Sequence, residues 1–100
     1  EHEVGPFWRA TSTWLAKEAP EIMVCLEMHP GVTVFNTAGF QALSAYVDRN
    51  IGLNLDPSHF WRQGIDPLTV VEELGDRIGW MHGKDTLLHP ERIRRQGVLH

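Results

Sequence analysis

Three short clusters hold the residues whose types and spacing suit chemistry: Glu27-Met28-His29-Pro30-Gly31, Asp56-Pro57-Ser58-His59 and His82-Gly83-Lys84-Asp85. Each follows a short apolar run. Carboxylates and imidazoles together form the donor set of zinc and manganese sites, and catalytic sites of this kind keep a position open for water or substrate. Glu27 and Asp56 are 29 residues apart and Asp56 and His82 are 26 apart, close to one strand-plus-helix unit. Like-placed residues then come from the C-terminal ends of successive parallel strands, where function sits in such folds. Glu27, Asp56 and His82 are therefore read as ligands of one divalent ion. His59 is a further ligand, a partner to a ligand or a donor to substrate, and His29 is a substrate or neighbouring group. Each has a plainer role on its own. Asp56 before Pro57 caps a turn, His59 is an exposed loop residue, Glu27 pairs with Lys84, and His82 is a satisfied core histidine. Their joint placement at equivalent strand ends favours the metal.

The elements that must position these residues follow from periodicity. Between Pro6 and Ala19, Phe7, Ala10, Trp14 and Leu15 recur at helical spacing, and Pro20 marks the stop. Ile22 to Met28 is apolar except for Glu27, as expected of a strand buried on both faces of a parallel sheet. Alternation puts Met23, Cys25 and Glu27 on one face and Ile22, Val24 and Leu26 on the other. Asn36 or Thr37 caps a second helix, with Phe40, Leu43 and Val47 on its apolar stripe and Gly52 ending the segment. Leu53 to Asp56 is the second strand, with Asn54 and Asp56 on one side. Asp66 followed by Pro67 starts a third helix whose buried stripe is Leu68, Val71 and Leu74, before Gly75. Ile78 to His82 is the third strand, with Ile78, Trp80 and His82 on one face. The tail from Asp85 is polar and interrupted by proline, and reads as a loop. Trp8, Trp14 and Trp61 read as packing residues, and His2, His89 and His100 carry no signal.

The order α, β, α, β, α, β implies an α/β fold with a parallel sheet and right-handed crossovers. Three strands cannot close a barrel, and a (β/α)8 barrel needs about 250 residues. Residues 1–100 are thus expected to be one domain, a partial barrel lacking N-terminal and C-terminal strands. The chain has 100 residues, 42% of them hydrophobic, enough for one modest core. No apolar run is long enough for a spanning helix, and Glu1-His2-Glu3-Val4 lacks the order of a signal peptide. The single cysteine, Cys25, lies in an apolar run and fits a reducing compartment. The expectation is a cytoplasmic protein with no membrane contact. Nine Lys and Arg against thirteen Asp and Glu disfavour a large nucleic-acid footprint. Arg92, Arg94 and Arg95 form one basic cluster, read as a solvated turn. So small a piece buries little apolar surface, which makes a homo-oligomer an open expectation.

The linked motifs Leu26-Glu27-Met28-His29-Pro30-Gly31, Asn54-Leu55-Asp56-Pro57-Ser58-His59, Gln63-Gly64-Ile65-Asp66-Pro67 and His82-Gly83-Lys84-Asp85-Thr86 resemble the xylose-isomerase-like TIM barrels, specifically the sugar phosphate isomerases and epimerases. The resemblance implies a divalent ion (Mn, Zn, Co or Mg) held by Glu27, Asp56 and His82. The second Glu of the family set has no counterpart after Glu91. It also implies proton transfer between adjacent carbons of a ketose through an enediolate, with Glu27 as ligand and acid/base. His59 matches a substrate-contacting residue, and Lys84 is placed at a substrate hydroxyl or in an ion pair. Trp80 stands on the inward face, where relatives carry smaller or polar groups. Two alternatives stay open. In the apurinic-site endonuclease branch a further Asp and His follow the third motif, where this chain has Arg92, Arg94, Arg95 and Gln96. The other alternative is a non-catalytic barrel piece that binds metal or a partner strand at its open edges.

Overall fold

The apolar runs pair side by side into one sheet of three parallel strands in the order β1-β2-β3. They are β1 (Val24–Glu27), β2 (Ile51–Leu55) and β3 (Ile78–Met81). The structure is a computed structural model that describes residues 3–98; the readings of Glu1, His2 and His100 lie outside the described residues. Helices α1 (Val4–Glu18), α2 (Thr37–Ser44), α3 (Pro57–Trp61), α4 (Pro67–Leu74) and α5 (Pro90–Gln96) complete the chain. Three parallel strands with flanking helices are the architecture of a partial TIM barrel, as the element order predicts.

β2 is the central strand and is buried along nearly its whole length, Ile51 and Leu53 being wholly inaccessible. Leu53 and Leu55 project into a core with Met28, Phe40, Leu43, Phe60, Val70 and Leu74. Each such side chain contributes about 1.5–3 kcal/mol by leaving water, so β2 is the anchor to which the edge strands register. On the opposite face, Gly52 and Gly79 are required by close packing. A Cβ at Gly52 would lie 2.6 Å from the Arg77 backbone O and would also meet Met23 Cε, and one at Gly79 would lie 2.7 Å from Cys25 Sγ. These contacts put Met23 and Cys25 on the face that the sequence assigns to Glu27.

Several boundaries and faces differ from the sequence reading. Helix α2 stops at Ser44, not at Gly52, because β2 begins at Ile51 and takes Gly52 into the sheet. The buried stripe of α4 is Val70 and Leu74; Leu68 and Val71 are exposed, because the helix meets the core only along one narrow line. In α1, Leu15 and Ser12 are buried while Phe7 and Trp14 are exposed, so Trp14 is not a packing residue among the described contacts. Asp56 does not merely cap a turn. It starts the short helix α3, with Pro57 at the first helical position. The tail is not all loop either, since Pro90 opens α5 with Glu91 in its first turn and Arg94 and Arg95 in its last, charges that suit the helix dipole. A register shift between Leu53 and Asn54 pairs Leu53 with Ile78 and Asn54 with Trp80. Ile78 therefore packs on the core side, while Trp80 shares the face of Asn54, so Ile78, Trp80 and His82 do not lie on one face as strict alternation implies.

Candidate metal centre

Glu27 is the last residue of β1 and Asp56 is the first residue beyond β2, so both stand at the C-terminal edge of the sheet. Their backbones are not level. Glu27 pairs with Asn54, which places Asp56 two residues, about 7 Å, further along. The longer glutamate side chain reaches up to the shorter aspartate from below. His82 N donates to Leu55 O at 2.9 Å, extending the β2–β3 ladder by one residue and setting His82 beside Asp56.

The turn after β2 orients the aspartate. Asp56 Oδ1 accepts from Ser58 N at 3.1 Å and from Ser58 Oγ at 2.6 Å, the helix N-cap geometry of α3. Asp66 caps α4 through Leu68 N in the same way, but Asp66 is exposed while Asp56 is fully buried. Capping fixes Oδ1 and leaves Oδ2 turned toward the other charged groups. One turn of α3 carries His59 back over the cap. Its Nε2 lies 3.4 Å from both Asp56 Oδ2 and Glu27 Oε1. From the other side His82 Nδ1 lies 3.1 Å from Glu27 Oε1 and 3.7 Å from Asp56 Oδ2. Ligand atoms of Glu27, Asp56 and His59 all fall within 4.8 Å of one another.

Several of these separations exceed a hydrogen bond, so the group does not satisfy itself. Asp56 Oδ2, His59 Nδ1 and Asn54 Oδ1 are buried without a hydrogen-bond partner. Lys84 Nζ faces Asp56 Oδ2 at 2.8 Å as an ion pair but without the alignment of a hydrogen bond. Burial pushes the Asp56 carboxyl up, but Lys84, the two Ser58 donors and the neighbouring His59 outweigh it and hold it down at about 2. Burial lowers the His59 pKa, against the opposing pull of Asp56 and Glu27. An ionised aspartate and a neutral imidazole are the protonation states that bind metal. Two carboxylates and two imidazoles around a buried, incompletely paired oxygen fit a divalent ion. The cluster could thus hold a metal through Glu27, Asp56 and His59, with His82 adjoining.

The residues selected in the sequence are placed as follows. Glu27, Asp56 and His82 converge, and His59 enters the group as a ligand candidate as well as a substrate contact. Lys84 pairs with Asp56 and not with Glu27. His29 stands behind His59, its ring centroid 5.1 Å from that of His59, and its Nδ1 is 2.7 Å from Pro30 O. Two residues escaped the sequence reading as site residues. Ser58 fixes Asp56, and the Asp-Pro-Ser order of a capped helix start was its signal. Asn54 Nδ2 lies 3.5 Å from His82 Nδ1, and its place on the Asp56 face was the signal.

A model of the xylose isomerase-like TIM barrel matches residues 8–98. The chain belongs to that family. It is also 36% identical over 97 residues to an uncharacterized protein of Bacillus subtilis (strain 168), YfiH, an alignment that takes in 94% of this chain and 30% of YfiH. The chain thus spans under a third of the length of that relative. No solved structure matches it significantly. Family membership accords with the three parallel strands and with a cluster at their C-terminal ends. Among the described residues no helix is long and apolar enough to cross a membrane.

Proposed function

We propose that these residues form the metal-binding part of a divalent-metal-dependent sugar or sugar phosphate isomerase or epimerase. The observation that carries the reading is the convergence of Glu27, Asp56 and His59 within 4.8 Å at the ends of adjacent parallel strands, in a chain of the xylose isomerase-like family. Glu27, Asp56, His59 and His82 would hold the ion, which when bound supplies Lewis-acid polarisation of a carbonyl and its neighbouring hydroxyl.

The side chains then divide the work. Asp56, ionised and fixed by Ser58, supplies constant negative charge. Glu27 Oε1 is engaged by His82 and His59, which leaves Oε2 to take a proton from the carbon beside the substrate carbonyl and return it to the adjacent carbon. His59, buried and disfavoured as a cation, offers Nε2 to the ion while His29 backs its ring. The net charge of −4 favours a small ligand over a nucleic-acid backbone or a membrane surface. Manganese, zinc, cobalt and magnesium all suit the donors to different degrees.

The test is exchange of solvent deuterium into a ketose at the carbon beside the carbonyl, followed by NMR on the longest form of the protein that contains these residues, loaded with each of the four metals. Exchange that Glu27→Gln reduces more than His29→Ala does is the expected result. No exchange with any metal across a broad ketose panel would remove the reading. Metal binding without exchange would leave a non-catalytic metal-binding barrel piece, and cleavage of apurinic-site DNA in its place would move the chain to the phosphodiesterase branch.

A further inference from the structure

Arg62 ends α3, three residues beyond His59. Its Nε is buried and has no hydrogen-bond partner, a state that costs a charged donor more than a neutral one. Three other arginines are engaged elsewhere. Arg49 pairs with Asp76 and Arg94 with Glu91, and Arg77, whose Nε is likewise unpaired, donates through its terminal nitrogen to Asp48 O and Ile51 O. Among the described residues neither Arg62 nor Arg92 has a carboxylate partner. Both line a single cavity of about 300 Å³, together with Thr86, His89 and Gln96, and no carboxylate borders it. Two guanidinium groups on the wall of one cavity make it attractive to an anion. Their planar forks match the oxygens of a phosphate, and the threonine hydroxyl, glutamine amide and imidazole add further donors.

The cavity also has a position that relates it to the metal centre. Arg62 and His59 are separated by about one turn of helix, Arg62 being the residue that ends α3. We propose that this cavity is an anion subsite that takes the phosphate of a phosphorylated ketose whose carbonyl end lies at Glu27, Asp56 and His59. This rests on the isomerase or epimerase reading and narrows it to phosphomonoester substrates. Arg92 leaves the solvated basic cluster of the sequence reading and becomes a binding residue, whereas Arg94, already paired, does not.

The experiment is titration with inorganic phosphate, followed by ³¹P NMR and calorimetry, of the unaltered chain and of Arg62→Gln, Arg62→Lys, Arg92→Gln and Arg94→Gln, with circular dichroism to establish that each is folded. Phosphate binding that weakens at least about tenfold in Arg62→Gln and Arg92→Gln, less in Arg62→Lys and hardly at all in Arg94→Gln, is the expected result. A ketopentose phosphate then competes with inorganic phosphate and the unphosphorylated ketose does not. No phosphate binding at millimolar concentration overturns the proposal, as does an equal loss in Arg94→Gln, which would mean diffuse charge. Binding of a short DNA duplex that depends on Arg62, without phosphate binding, overturns it in favour of a phosphodiester. Because phosphate binding is read without turnover, its failure is separate from that of the isomerase reading, which deuterium exchange decides.

Discussion

The two ends of the sheet treat polar groups in opposite ways. At the N-terminal end, Ser12 Oγ donates to Asn50 Oδ1 at 2.6 Å, Asn50 Nδ2 donates to Ser12 O at 2.8 Å, and Asp48 N donates to Ser12 Oγ at 3.0 Å. Arg77 closes the same end by donating to Ile51 O at 2.7 Å; its Nε alone is left over there. At the C-terminal end, His59 Nδ1 and Asn54 Oδ1 are buried without hydrogen-bond partners, and Asp56 Oδ2 has only the ion pair with Lys84. Buried polar groups in folded proteins are nearly always bonded, so a closed network reads as structure and an open one as a place kept for a ligand. The barrel fold assigns stability and function to the same two ends. Here the assignment follows from the hydrogen bonds.

The largest expected effect on stability belongs to the closed end. Asn50→Ala removes two bonds to Ser12 and leaves a buried hydroxyl short of a partner, for a loss of about 1–3 kcal/mol in urea unfolding. Divalent-metal affinity should stay within about twofold. A large loss of affinity would break the comparison, because the two ends would then act as one unit.

The open end should show itself in acid. The Asp56 carboxyl sits at about 2, below its ordinary 3.8. A carboxylate with a depressed folded-state pKa contributes stability that is complete above the ordinary value and is lost as pH falls through the folded one. Urea unfolding from pH 5 down to pH 2 should therefore reveal a decline concentrated below about pH 4 and amounting to at most about 2 kcal/mol. The half-exposed Lys84 partner lessens it through solvent screening. Asp56→Asn should flatten this part of the curve. An unchanged curve in that variant would mean that Asp56 is not held by Lys84 and Ser58 as the geometry requires.

The smallest effect concerns Lys84, which presents its ammonium to the oxygen that a metal would take. Lys84→Met should tighten Mn²⁺ binding by no more than about fivefold, equivalent to about 1 kcal/mol, because the half-exposed Lys84 ammonium is screened by solvent. Weaker binding in that variant would show instead that Lys84 organises the site.

How far the sequence foretold this division depends on which physical signal each residue carries. Glu27 and Asp56 were legible because a charge that ends an apolar run needs a reason, and alternation assigned Glu27 to the face of Met23 and Cys25. The unequal height of Glu27 and Asp56 at the strand tips was not legible. Register comes from packing of β2 against the core, and that is a property of several elements together. The shift at Gly79 was hidden for the same reason, since a strict period of two has no term for an extra residue. Helix α3 was missed although Asp56-Pro57 has the same signature as Asp66-Pro67. The second pair preceded a long apolar period, whereas the first opened only five residues, too few for periodicity to register. Helix α5 lacks a buried stripe altogether, so its capping proline and dipole charges were the only signals left. The position of His59 over the cluster depends on α3, and so its nearness to Glu27 could not be read before that helix was seen.

The most direct measurement is a calorimetric titration of the chain with Mn²⁺ and Zn²⁺, beside a Glu27→Gln, Asp56→Asn, His59→Ala variant whose circular dichroism matches that of the unaltered chain. The account predicts binding near about one equivalent in the unaltered chain and none in the variant. Equal binding in both, or a folded chain that binds neither ion, would contradict the claim that the open end of the sheet is a metal site.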